Sequence, residues 1–382
     1  MPFHRDNSNI SRLRSAIRLV AILATTILLT PAAAREPSKE TAKQPDLAWH
    51  AVTPDDVVGK GWKDTKAPFD RLPARAERIV RKPIWELSRH SAGLYVDFNT
   101  NAKSMSARWT LTSDRLAMAH MAATGVSGLD LYINRDNKWH YLSTGRPSKF
   151  PTNEVELIAG LSPGSANYRL YFPLYNGVSA VEIGVPAGSS FEFKREPDRH
   201  VKPVVIYGTS ITQGGCASRP GMSFAAILGR RLDVPVINLG FSGNGKAEKE
   251  IAELLGELDA SVFILDPLPN LFASQVDERL PTFIQTLRKL RPTTPILLNE
   301  SPRFPTIAFV PGQMQRVTES NNILQRIGKV QEAAGDHHIA VITGADLAAE
   351  SGETTVDGLH PTDIGFVIMA DAIEPTLRKA LN

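Results

Sequence analysis

Near residue 198 the hydrophobic pattern of this 382-residue chain changes period, and one layer architecture cannot accommodate both halves. From Leu47 to about Arg195 apolar and polar residues alternate with a period of two. Leu94, Val96 and Phe98 are one such row; Ala107-Trp109-Leu111, Leu129-Leu131-Ile133, Val181-Ile183-Val185 and Phe191-Phe193 are others. Successive strand side chains point to opposite faces, so these rows predict half-buried strands. Turn residues separate them at Asn99-Thr100-Asn101, Asn134 to Asn137, Ser162-Pro163-Gly164 and Pro186-Ala187-Gly188. The expectation is an all-β, jelly-roll-like antiparallel sandwich over residues 47–198.

Beyond His200, short apolar runs alternate with helical stretches. Strands are expected at Val204 to Tyr207, Pro235 to Asn238, Ser261 to Leu265, Ile296 to Leu298 and Ile339 to Ile342. Helices are expected at Phe224 to Leu232, around Ile251, Leu254, Leu255 and Leu258, at Pro281 to Leu290, as one long helix between the fourth and fifth strands, and at Ile364 to Leu377. Pro281 reads as the first residue of its helix, where a missing N–H costs nothing. Such alternation predicts a parallel five-stranded sheet with helices on both faces over residues 199–382. Ligands on such sheets bind beyond the carboxyl ends of the strands.

Residues 1–34 read as an export signal. Arg5, Arg12, Arg14 and Arg18 precede an apolar run from Leu19 to Leu29, which ends at Pro31-Ala32-Ala33-Ala34. The run is shorter than the ~20 residues of a membrane span. A mature chain outside the cytoplasm, periplasmic or extracellular, is expected after a polar linker over residues 35–46. Those four arginines against Asp6 account for the whole net charge of +3. The neutral remainder has no electrostatic case for nucleic acid. With 42% hydrophobic and 22% charged residues, the chain is neither disordered nor a multi-span membrane protein. Its one cysteine, Cys216, rules out an intrachain disulfide and a zinc cluster built from cysteines.

Chemistry concentrates at the expected strand ends. Gly208-Thr209-Ser210 leaves the first strand, where a serine hydroxyl can point into the crevice. Asp357-Gly358-Leu359-His360-Pro361 precedes the last helix, and Pro361 keeps His360 out of the helical region. An Asp three residues before a His can orient the imidazole and stabilise its charged form. After the second strand, Asn238-Leu239-Gly240-Phe241-Ser242-Gly243 offers backbone N–H groups. After the third, Asp266-Pro267-Leu268-Pro269-Asn270 offers an amide side chain. An oxyanion needs such convergent donors.

These four blocks, in order, resemble the GDSL/SGNH hydrolase superfamily over residues 199–382. The resemblance implies Ser210 as nucleophile, Asp357 and His360 as its triad partners, and Ser210, Gly243 and Asn270 as oxyanion donors, with Gly240 a rival to Gly243. Two departures stand out: Gly-Thr-Ser in place of Gly-Asp-Ser, and Asp-Pro-Leu-Pro-Asn in place of Gly-x-Asn-Asp. Gly128-Leu129-Asp130-Leu131-Tyr132 is similar to the signature of the GxDLY-type domain that precedes some bacterial members. Those members imply a carbohydrate esterase acting on small-molecule or polysaccharide esters, without cofactor or metal. An acyltransferase on the same triad and a non-catalytic carbohydrate-binding protein are the alternatives.

Several other residues invite attention. His337-His338 reads as a polar lead-in to the fifth strand, and Cys216 as a packed side chain. Arg219 is open between substrate contact and solvent. Trp49, Trp62, Trp85, Trp109 and Trp139 all fall in the first part, where packing is the expected role for most.

Overall fold

In the computed structural model, which describes residues 46–195, 201–348 and 352–382, ten strands come first. They are β1 (Leu47–Ala51), β2 (Val57–Val58), β3 (Tyr95–Thr100), β4 (Met105–Leu111), β5 (Leu129–Arg135), β6 (Lys138–Gly145), β7 (Thr152–Ile158), β8 (Ala166–Tyr171), β9 (Val178–Pro186) and β10 (Phe191–Lys194). One antiparallel sheet has the order β1-β9-β4-β7; the other runs β10-β3-β8-β5-β6, with β2 on β3. Trp109 and Ile183 of the first sheet meet Leu131 and Leu170 of the second in one apolar core.

This part is not all-β. Between β2 and β3 the chain makes an excursion that includes helix α1 (Lys82–Ser88), and α2 (Ala123–Val126) precedes β5. The reason lies in where the excursion packs. Trp62, Leu72, Ile84 and Trp85 pack with residues of the second half, not between the antiparallel sheets.

The second half alternates as expected: β11 (Val204–Gly208), α3 (Ser210–Gln213), α4 (Phe224–Leu232), β12 (Val236–Gly240), α5 (Lys249–Gly256), β13 (Val262–Asp266), α6 (Ala273–Leu290), β14 (Ile296–Asn299), α7 (Pro311–Ala333), β15 (Ile339–Ile342) and α8 (Asp363–Leu381). All strand pairings are parallel, in the order β12-β11-β13-β14-β15. Strand periodicity divides the apolar residues between two cores. Val205, Tyr207, Phe263 and Leu265 face α5, α6 and α7, whereas Val204, Ile206, Val262 and Ile264 face α4 and α8. The first half enters the second core too, through Ala92, Met121, Val126 and Leu174. Each large apolar side chain so buried contributes about 1.5–3 kcal/mol.

Helix α6 starts at Ala273, not at Pro281, which lies inside it. A proline there removes one backbone bond and costs about 3 kcal/mol. The buried stripe Val276, Leu280, Phe283, Ile284 and Leu287 spans both sides of Pro281 and outweighs that cost. Helix α8 likewise runs through Pro375 to Leu381. The expected signal and most of the linker lie outside the described residues. Among the described residues no helix is long and apolar enough to cross a membrane.

Candidate active site

The turn after β11 sets the position of Ser210. Thr209 is the N-cap of α3, and its hydroxyl accepts from the Ile211 N–H at 3.2 Å. Threonine, like aspartate, is a favourable residue at such a cap. Ser210 is buried. Its Oγ lies 2.9 Å from His360 Nε2, and His360 Nδ1 lies 2.8 Å from Asp357 Oδ2. An ionised carboxylate only accepts, so Nδ1 carries the proton and Nε2 is free to accept from the serine. Asp357 Oδ1 also accepts from the backbone N–H groups of His360 (2.8 Å) and Leu359 (3.1 Å). Partial burial opposes ionisation of Asp357, but the bonds from His360 and Leu359 prevail and hold its carboxyl below the usual range.

The second and third blocks converge on the same turn. Gly245 packs so closely against β11 that a Cβ would sit 1.9 Å from the Gly208 carbonyl oxygen. Asn270 donates to the Gly245 carbonyl at 3.3 Å. The Gly240 N–H donates to Asn238 Oδ1 at 2.9 Å and is occupied. Gly243 is exposed with φ +66°, and among the described residues its N–H has no acceptor. Of the two glycines, only Gly243 has a free donor.

Much of what holds this turn comes from the first half, and the sequence reading missed it. Arg71 is buried, and its guanidinium donates to the carbonyls of Asn238 (3.0 Å) and Gly240 (2.8 Å) at the end of β12. It also donates to those of His90 (2.9 Å) and Leu87 (2.7 Å), and lies 5.0 Å over the Phe241 ring. Burial pulls its pKa down to about 9. The only trace in the sequence is an Asp70-Arg71 pair enclosed by Phe69 and Leu72.

Gln213 links the halves through its amide. Nε2 donates to His90 Nδ1 (3.1 Å) and the Leu174 carbonyl (3.0 Å), while Oε1 accepts from the Ser242 N–H (3.0 Å). That pattern requires a neutral His90. Burial and the neighbouring Arg71 push its pKa down to about 4. Tyr175 adds a bond from its hydroxyl to the Ser210 carbonyl at 3.2 Å.

Arg219 has its main partners within the protein. It donates to Asp130 Oδ2 at 2.7 Å and to the Tyr132 hydroxyl, and stacks 3.9 Å over Tyr141. Asp130 Oδ2 also accepts from the Gly221 N–H at 2.9 Å. The Gly-x-Asp-Leu-Tyr signature therefore clasps the loop that follows α3. Trp62, Trp85 and Trp109 are buried, while Trp49 and Trp139 lie against Arg108 (4.1 Å) and Arg169 (4.4 Å). His337 and His338 are exposed and lead into β15. Beneath the Ser210 turn, Asp266 is fully buried and accepts from Thr212 Oγ1 at 2.6 Å; burial pushes its pKa up to about 7.

Both parts of the chain match known protein families. Residues 201–378 match the GDSL-like lipase/acylhydrolase family, and residues 47–191 match the GxDLY family, the N-terminus of SGNH-hydrolase-type esterases. A crystal structure from Bacteroides ovatus, described as a GDSL-like lipase, is 33% identical; the alignment covers 87% of this chain and 98% of that one, with a TM-score of 0.81. A salicylyl-acyltransferase from a tetracycline biosynthetic pathway is 19% identical, over 87% of this chain and 97% of that one, with a TM-score of 0.70. An acetyl xylan esterase from the rumen bacterium Butyrivibrio proteoclasticus is 13% identical, over 88% and 98%, with a TM-score of 0.53. The last two show a shared fold. No curated protein matches the sequence significantly.

Proposed function

The chain belongs to the GDSL-like lipase/acylhydrolase family, and from that premise we propose that it is a serine esterase working through an acyl-enzyme. The observation that carries the reading is the unbroken line from Asp357 through His360 to the Ser210 hydroxyl, at 2.8 and 2.9 Å. His360 takes the proton of Ser210 as its Oγ attacks the ester carbonyl, and Asp357 steadies the imidazolium. The alkoxide of the tetrahedral intermediate is held by the N–H groups of Ser210 and Gly243 and by the Asn270 amide. Collapse expels the alcohol, protonated by His360. Water, activated by the same base, then releases the acid and restores the serine. Each oxyanion donor is worth about 10²–10³ in turnover.

We extend the proposal to acetyl esters of carbohydrates by analogy with the acetyl xylan esterase fold. The strand orders β1-β9-β4-β7 and β3-β8-β5-β6 support reading the first part as a jelly-roll-like sandwich that helps shape the cleft. Residues 1–34, with their basic start and Ala-x-Ala end, support export to the periplasm or medium. The likeness to an acyltransferase keeps a second reading in view, in which a sugar hydroxyl replaces water as acceptor.

Hydrolysis of 4-nitrophenyl acetate, butyrate and octanoate, with Ser210→Ala beside the wild type at matched folding, tests the proposal. Serine-dependent turnover favouring acetate supports it. Full activity in Ser210→Ala refutes it. Turnover that appears only when a sugar acceptor is added moves the assignment to the transferase.

A further inference from the structure

Two donor groups beside the triad have no task in the esterase reading. His120 stands at the surface on the loop ahead of α2, and Cys216 is buried just after the Gly214-Gly215 pair that follows α3. The rings of His120 and His360 are 5.5 Å apart, inclined at 45°. One donor atom from each of His120, Cys216 and His360 lies within 4.8 Å of the other two. Cys216 has φ +73°, a left-handed backbone conformation that side chains with a Cβ adopt only at a cost of about 1–3 kcal/mol.

We propose that His120, Cys216 and His360 capture a thiophilic divalent cation of the Zn²⁺ or Cd²⁺ kind, and that capture switches the triad off. Two imidazoles and a thiolate suit such ions and offer nothing to Mg²⁺ or Ca²⁺, which demand oxygen. Metal–ligand lengths of about 2.0–2.3 Å place the donors of a tetrahedral site roughly 3.3–3.8 Å apart. From separations of up to 4.8 Å, closing requires shifts of up to about 1–1.5 Å, to which rotation of the His120 side chain contributes for its own two pairs and small side-chain movements of Cys216 and His360 for theirs. A water completes the set. The thiol proton leaves to solvent on coordination, and no oxidation state changes.

Loss of activity follows from the bonds that His360 already makes. Its Nε2 faces Ser210 and its Nδ1 faces Asp357. A cation that takes either nitrogen displaces one partner and removes the general base. The effect on turnover rests on the esterase reading above; the capture does not.

The test is a titration of the full chain with CdCl₂, following the ultraviolet thiolate-to-cadmium charge-transfer band and ester hydrolysis together. The expected result is a band that saturates at one equivalent, with hydrolysis falling in step and returning on addition of EDTA. Cys216→Ser should abolish the band. His120→Ala, at a surface position, should weaken binding and inhibition at least about tenfold, since even outer partners of metal ligands are worth about 10–100-fold. Equal cadmium sensitivity in wild type and His120→Ala overturns the proposal, and so does inhibition without the band. The Ser210→Ala protein should still give the band. A band in a wild type that hydrolyses no ester leaves the capture standing and sinks the esterase reading instead.

Discussion

The proposed nucleophile and its proposed base sit in opposite surroundings. Ser210 lies at the end of a fully buried strand, on a turn packed against Gly245 and braced by Tyr175. Asp357 and His360 lie on a loop that makes its own bonds. Val356 N–H reaches the His360 carbonyl at 2.9 Å, Thr362 N–H reaches the Thr354 carbonyl at 2.8 Å, and Asp357 is exposed. Position is thus imposed on the serine by long-range packing and on the base by local hydrogen bonds. Changes on the loop should cost activity and little stability. Changes around the turn should cost both.

The largest effect should come from the shared element. Ser210→Ala is expected to lower kcat for 4-nitrophenyl acetate by about 10⁴-fold or more, with a normal far-ultraviolet spectrum. Asp357→Asn should lower kcat by about 10³–10⁴-fold, because the imidazole loses its orienting acceptor. Its Tm should stay near wild type; a large drop would show that the loop is not self-sufficient. Asn270→Ala should lower kcat about 10²–10³-fold with KM little changed.

Arg71→Met sharpens the contrast from the other side. It removes one donor from four carbonyls, of which that of Leu87 keeps the His90 N–H, at about 1–3 kcal/mol for each left dry and unpaired. A lowered Tm should accompany a fall in kcat of about 10–100-fold from a displaced Gly243 loop. A stable Arg71→Met protein with full kcat would separate the loop from the first half.

The smallest effect concerns pH. His90 drops from its ordinary 6.5 to about 4 in the folded chain, so its neutral form is favoured there. The stability linked to it is complete above pH 6.5 and declines as pH falls from 6.5 towards 4. Tm measured across that range should therefore fall more steeply in wild type than in His90→Gln. Parallel curves would remove His90 from the network.

The same contrast explains what could be read in the sequence. Asp357 and His360 are three residues apart and bond locally, so their spacing alone reveals the pair. The alternating strands and the order of the four blocks were legible for a similar reason, since periodicity and turn chemistry are short-range signals. Arg71 and His90 touch residues more than a hundred positions away, and no local pattern marks them. Arg219 looked uncommitted because Asp130, its partner, belongs to a different sheet system. The start of α6 was misread because a proline rule outweighed a stripe whose burial only the fold creates.

One consequence of the shared cores concerns synthesis. Trp62, Leu72, Ile84 and Trp85 emerge from the ribosome long before Phe263, Leu265 and Leu298, the strand residues with which they share a core. At about 5–20 residues per second, those side chains wait tens of seconds for a surface to cover them. Burial of these four side chains is therefore postponed until the second half has been made, whereas the core between the two antiparallel sheets uses residues of the first half alone.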